Sequence, residues 1–143
     1  MKSYHFFQPI AVRYGDLDPQ GHVNNARFVT YLEQARVAYI RHLGLWDGRS
    51  YLEIGFIIAH LEIDYRAPIL LGHPVQVGVR VSRLGEKSLT MDYRIQDPKT
   101  DRVYADATTV LVGFDYHAGR SLVIPETWRE VMADFENIPR RAG

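Results

Sequence analysis

Two acids, a histidine and two adjacent asparagines crowd into one short stretch, Tyr14-Gly-Asp-Leu-Asp-Pro-Gln-Gly-His-Val-Asn-Asn25, and a helical pattern opens directly behind it. A helix N-terminus carries unpaired backbone N–H groups and about half a unit of positive charge. A carbonyl oxygen placed there is polarised, and the negative charge it develops under attack is stabilised. Asp18 lies a few residues upstream of those donors. A carboxylate beside a helix end of this kind is equipped to attack an acyl group, directly or through water. His22 is a second proton-transfer group or, the reading we favour, a loop histidine that hydrogen-bonds Asp18 and holds the turn. Asn24 and Asn25 are natural helix caps. Gly21 lets the backbone pass close to a ligand, and Val23 lies between the polar residues. Asp16 falls where a structural acid would pair or cap locally.

Glu33 has two readings of equal weight: a partner for Arg36 one helical turn on, or a residue beside an acyl pocket. Asp16, Asp18 and His22 could together hold a divalent ion, but three ligands from one turn would be crowded, and the metal-free reading stands ahead. With no cysteine in the chain there is no disulfide, no thiolate nucleophile and no zinc site built on Cys. No glycine-rich phosphate loop of nucleotide-hydrolase or dinucleotide type is present.

The elements that must position these residues follow from periodicity. Tyr4, Phe6, Ile10, Val12 and Tyr14 share one parity, which predicts a first strand ending near Gly15. Phe28, Leu32, Ala35, Tyr39 and Leu43 then make one apolar stripe of a helix over about Asn25 to Leu43, with Gly44 as its stop. Strands are expected around Leu61–Tyr65, Val75–Val81, Leu89–Ile95 and Val103–Phe114, the second and third joined as a hairpin by Leu84-Gly-Glu-Lys87. The run Val110-Leu-Val112 predicts burial on both faces there. A short helix from Pro125 to about Phe135 follows, and Pro139–Gly143 reads as a frayed tail. One long helix with five or more mostly antiparallel strands is an α+β protein. Without a repeat, linker or low-complexity tract, residues 1–143 read as one domain.

The motif resembles that of the 4-hydroxybenzoyl-CoA thioesterase-like family, whose signature runs Tyr-x-Asp-x-Asp-x-x-Gly-His-Val-Asn-Asn-x-x-Tyr-x-x-Tyr-x-Glu-x-Ala-Arg. Phe28 stands where tyrosine is usual. The likeness continues through Leu61–His73 and Val81–Ile95, so it covers roughly Tyr4 to Phe114. It implies the hot dog fold, an antiparallel sheet wrapped around one long central helix. It also implies acyl-CoA thioester hydrolysis without a cofactor, by Asp18 as nucleophile or general base, with the Asn25 N–H aimed at the thioester oxygen. Family members bind the CoA nucleotide with basic residues placed comparably to Arg66, Arg83 and Lys87, the last two in the segment Arg83-Leu-Gly-Glu-Lys-Ser88. Two subunits pair in the family with sites at their interface, so a homodimer or homotetramer is expected. An acyl pocket would then be walled by Tyr31, Glu33 and Ala35 and by the Phe56–His60 segment of a second copy, its apolar bulk suiting a medium-chain or aromatic acyl group.

Composition sets outer bounds. The chain has 143 residues, 46% of them hydrophobic, enough for a sizeable core. Lysine plus arginine and aspartate plus glutamate number 17 each, so the net charge is zero and leaves no general footprint for nucleic acid. The first residues contain no apolar run of signal-peptide length and no later segment approaches a membrane span, which predicts a cytoplasmic protein. Two other functions compete with hydrolysis. A hot dog dehydratase or hydratase would use an acid with a histidine, and Asp18-x-x-x-His22 superficially invites it. A non-catalytic acyl-CoA-binding regulator would not need Asp18 and would usually carry a DNA-binding module, for which the chain has little room.

Overall fold

The computed structural model describes residues 3–142, which form six strands and two α-helices. In chain order these are β1 (Phe6–Ile10), α1 (Asn25–His42), β2 (Phe56–Tyr65), β3 (Val75–Leu84), β4 (Ser88–Gln96), β5 (Val103–Asp115), β6 (Arg120–Ser121) and α2 (Glu126–Glu136). Single 3-10 turns lie at Tyr14–Asp16 and Tyr51–Glu53. The sheet order is β1-β3-β4-β5-β2, with β6 paired to β5, so β1 and β2 are its edges. This is the α+β hot dog arrangement, an antiparallel sheet with the long helix packed against it. No helix among the described residues is long and apolar enough to cross a membrane.

The chain divides into two compact units: Met1–Tyr39, Ile63–Val79 and Tyr93–Ala107 in the first, and Ile40–Glu62, Arg80–Asp92 and Thr108–Gly143 in the second. In the first, the α1 stripe is packed away: Phe28, Leu32, Ala35 and Tyr39 are buried, and the Tyr39 ring meets Phe6 of β1 edge-on at 5.7 Å. Val75, Val77, Val79, Tyr93 and Ile95 supply buried sheet residues of that unit. In the second, Val81, Leu84, Leu89, Met91 and Leu111 are buried, as are Ile124, Met132 and Ala133 near and on α2.

Both ends of α1 match their sequence signals. The Asn24 side chain accepts the Ala26 N–H at 2.9 Å, the N-cap bond. Gly44, at φ +73°, and Leu45 donate their N–H groups to the Arg41 and Ile40 carbonyls, the paired bonds of a Schellman stop. In the hairpin, Gly85 donates to the Ser88 carbonyl at 2.7 Å.

Four expectations need correction. The first strand ends at Ile10, not near Gly15, because Ile10 faces Val75, the first residue of β3, and no partner lies beyond; Tyr14 is 82% exposed. Strand β2 begins at Phe56, five residues before the alternation becomes visible, since its first half carries apolar residues on both faces. The end of β5 is not buried on both faces: Leu111 is buried while Val110 and Val112 are half-buried. The tail is tied down. Ala142 donates to the Leu84 carbonyl at 2.8 Å, the Arg140 carbonyl accepts from Arg129 at 2.9 Å, and Arg141 pairs with Glu126. Its last residue, Gly143, lies outside the described residues.

Candidate active site

The loop between β1 and α1 folds back on itself before the helix begins. Asp18 donates its N–H to the His22 carbonyl at 2.8 Å, and Gly21 donates to the Asp18 carbonyl at 3.0 Å. Gly21 sits at φ +83° with open space where a Cβ would go, so a side chain is excluded by backbone conformation and not by crowding. Leu17 bridges Val23, His22 bridges Leu70, and Val23 donates to the Ile69 carbonyl at 2.8 Å, which docks the loop on the segment after β2.

Within that loop the two oxygens of Asp18 have different surroundings. Oδ1 accepts the N–H of Gln20 at 2.9 Å and of His22 at 3.3 Å. Oδ2 has no donor among the described residues, so the turn orients the carboxylate by one oxygen and leaves the other unengaged. The bond from His22 to Asp18 comes from its backbone; among the described residues no hydrogen bond or ion pair joins the imidazole to that carboxylate.

A cavity of about 390 Å³ collects Asp18, His22, Val23, Asn25, Phe28, Tyr65, Arg66, Ala67 and Pro68. The Asn25 N–H, at the first position of α1, has no acceptor among the described residues. The Tyr65 hydroxyl donates to the Asn25 carbonyl at 2.9 Å, and the Tyr65 and Phe28 rings meet edge-on at 5.0 Å, forming an aromatic wall. Arg66 is held from outside the cavity: Asp106 accepts its Nε at 2.7 Å and the Arg94 Nε at 3.0 Å. Burial alone would raise the Asp106 pKa, but the two guanidiniums outweigh it and hold the carboxyl below its ordinary range. Among the described residues Arg66 is the one cation on the cavity wall with Asp18, and it is partly balanced by Asp106 and by the nearby Asp64.

Other sequence candidates lie elsewhere. Tyr31 and Ala35, expected on an acyl-pocket wall, are buried within this chain, and the Tyr31 hydroxyl is bonded to Asp16 at 2.7 Å. Glu33 is exposed, and its expected partner Arg36 donates instead to the Tyr93 hydroxyl at 3.2 Å. His60 is exposed on edge strand β2. Arg83 and Lys87 are exposed and Ser88 half-buried, all in the second unit and none lining this cavity. Among the described residues no three His, Asp or Glu side chains are placed to hold a metal ion. Asp16 in particular is turned to Arg13 and Tyr31. Sequence reasoning did not single out Tyr65, Phe28 or Pro68 as cavity walls; the parity of Tyr65 on β2 was visible, but not what its ring would face.

A profile of the thioesterase-like superfamily matches residues 12–133. The chain is similar to the long-chain acyl-CoA thioesterase FadM of Escherichia coli (strain K12), 29% identical over 121 residues that span 85% of this chain and 92% of that one. It is also similar to the 1,4-dihydroxy-2-naphthoyl-CoA hydrolase of Synechococcus elongatus, 26% identical over 140 residues, 94% of this chain and all of that one. A solved structure of a thioesterase from Thermus thermophilus, complexed with coenzyme A and Zn, superposes with a TM-score of 0.83 at 37% identity, covering 97% of this chain and 100% of that chain. With the superfamily's pattern running from the exit of β1 into α2, the chain belongs to the thioesterase-like superfamily.

Proposed function

We propose that the protein is an acyl-CoA thioesterase, a single hot dog domain that hydrolyses an acyl-CoA to a free carboxylic acid and CoA, with Asp18 as its reacting carboxylate. One observation carries this reading: Asp18, with an unpaired Oδ2, and the unpaired Asn25 N–H at the start of α1 line the same cavity. The thioester oxygen lies at the helix N-terminus, where backbone donors meet the charge that develops on it. In one route Asp18 attacks the carbonyl carbon, the CoA thiolate leaves, and water hydrolyses the resulting mixed anhydride. In the other, Asp18 takes the proton from a water that attacks the same carbon, and the C–S bond breaks to release the CoA thiolate, which takes up that proton. The routes are separated by a single turnover in heavy-oxygen water, where label in the Asp18 carboxylate marks the first route with water attacking the Asp18 carbonyl, together with hydroxylamine trapping of the mixed anhydride, which forms only on the first route whichever carbonyl water attacks.

The cavity walls Val23, Phe28, Tyr65, Ala67 and Pro68 are mostly apolar, which supports a medium-chain aliphatic or aromatic acyl group. Strand β2 is a sheet edge with Ile57 and Ile58 exposed, and an unpaired apolar edge calls for a partner. A homodimer or dimer of dimers joined there would carry the Phe56–His60 segment of one copy toward another. CoA phosphates would be met by cations among Arg66, Arg83 and Lys87.

Release of free thiol from a panel of acyl-CoAs tests the proposal. Turnover of medium-chain or aromatic substrates is the expected result. Binding without thiol release would favour a non-catalytic acyl-CoA-binding protein, and hydration of an enoyl-CoA without release would favour a hydratase. Acetyl-CoA as the best substrate by kcat/KM would overturn the acyl assignment alone.

A further inference from the structure

The reading of Asp18 as the reacting group leaves a second acid in the same motif unused. Asp16 is 3% exposed, too buried for a group that only solubilises a loop. Its carboxylate Oδ2 accepts the Arg13 N–H at 3.0 Å and the Tyr31 hydroxyl at 2.7 Å, and its Oδ1 lies 3.9 Å from both the Arg13 and Arg27 guanidiniums. Its backbone is committed as well: the N–H donates to the Arg13 carbonyl at 2.9 Å, and the carbonyl accepts the Asn24 N–H at 2.8 Å.

These bonds join three pieces that have to be aligned for the chemistry. Arg13 is the exit from the first strand. Asn24 is the cap of α1 and precedes the Asn25 N–H. Tyr31 is nearly two turns along the same helix. Asp18 follows Asp16 by two residues, so the position of its carboxylate relative to the helix-end donor is set by how Asp16 is held. We infer that Asp16 and Tyr31 act as a pair of positioning residues, fixing the distance between the Asp18 carboxylate and the N-terminus of α1.

The chemistry of the pair suits that role. The Asp16 carboxyl is kept in its charged form: burial would raise its pKa, but the Arg13 N–H, the Tyr31 hydroxyl and the two guanidiniums together lower it. Burial and the same hydrogen bond push the Tyr31 hydroxyl upward, so it keeps its proton and remains the donor. Charge-assisted O–H···O⁻ bonds are short and strong, which makes the pair a stiff strut. An error of about 1 Å between a reacting group and its electrophile can cost roughly 10²-fold in rate.

The inference rests on Asp18 as the reacting carboxylate, and its test is arranged so that the two can fail separately. Tyr31→Phe removes only the hydroxyl. Measured well below its unfolding temperature, it should lower kcat by about tenfold or more, with KM and the Kd of a non-hydrolysable acyl-CoA analogue changed by less than about twofold. Asp16→Asn should do the same, and the double variant should be no worse than the poorer single one, because residues acting as a unit are not additive. If Tyr31→Phe does not fold, Asp16→Asn serves alone, because its amide oxygen can still accept the Arg13 N–H and the Tyr31 hydroxyl while the charge that stiffens the bond is gone. Wild-type kcat in Tyr31→Phe or in Asp16→Asn, or losses that multiply in the double variant, would overturn the pairing. An active Asp18→Asn would instead remove the reading on which it rests.

Discussion

Arg129 Nη1 lies 2.9 Å from the carbonyl oxygen of Gly85, so a guanidinium of α2 that is fully buried grips the hairpin between β3 and β4 by its backbone. The same Nη1 reaches the Arg140 carbonyl at 2.9 Å, and Nη2 reaches the Glu86 carbonyl at 3.0 Å. The Nε finds no hydrogen bond, and the nearest paired carboxylate, Glu126, is 3.8 Å away and exposed. Three carbonyl dipoles thus take the place of water around this cation. A planar fork with several fixed donors can bind carbonyls on both the hairpin and the tail at once; a lysine cannot reproduce that geometry.

Arg129→Met should therefore destabilise the fold by about 3 kcal/mol, since the Gly85, Glu86 and Arg140 carbonyls lose a guanidinium donor together and only Glu86 keeps another, the Ile124 N–H. Arg129→Lys should recover only part of that loss. Thermal unfolding of the two variants beside the wild type measures it, and equal Tm for Lys and Arg at this position would show that charge alone suffices.

For the proposed reacting carboxylate, Asp18→Asn preserves size while removing nucleophilic and basic capacity, and kcat should fall by roughly 10²–10⁴-fold. Affinity for a non-hydrolysable acyl-CoA analogue should persist, because the helix-end donors are backbone groups. His22→Ala should cost less, since the backbone of His22, not its ring, holds Asp18. A near wild-type rate for Asp18→Asn would sink the proposed mechanism.

Changing Arg83 and Lys87 together to alanine should raise KM for acyl-CoA more than it lowers kcat, because a phosphate contact is made equally in ground and transition states. Thioesters on a shortened carrier without the nucleotide should be insensitive. Equal losses on both substrate types would assign the two residues to folding instead of binding.

Acid should unfold the protein through a small set of carboxylates. Asp16 and Asp106 have folded pKa values held below the ordinary carboxylate range of about 4. Stability from such groups is fully present above the unfolded pKa and is lost as pH falls through the folded one. Tm should be flat above about pH 5 and decline below about pH 4. Asp106→Asn should be less stable than wild type at neutral pH and should show a shallower decline, read by thermal melts across that range.

Sedimentation should find a dimer or a dimer of dimers at micromolar concentration, because β2 is an exposed edge. Charged substitutions at Ile57 and Ile58 should dissociate it. A fully active monomer would contradict an active site completed by a second copy.

Short-range chemistry was legible from the residues alone. Asn24 as a cap, Gly44 as a stop, the α1 stripe and the Leu84–Lys87 hairpin all depend on local backbone geometry and on periods of 3.6 or 2, which a linear chain displays. The motif from Tyr14 to Asn25 placed Asp18 beside a helix start for the same reason. What only the tertiary structure decided involves groups distant in sequence. Tyr31 carries an apolar ring on a helix and reads as a pocket wall, yet its hydroxyl is held by an acid 15 positions earlier. Arg66 reads only as a cation placed for a CoA phosphate, and that Asp106, 40 positions on, accepts its Nε appears only in the fold. Arg129 looks like an ordinary surface arginine of a short helix and is wholly buried, because its partners are backbone carbonyls, and a carbonyl is present at every residue and leaves no mark in a sequence.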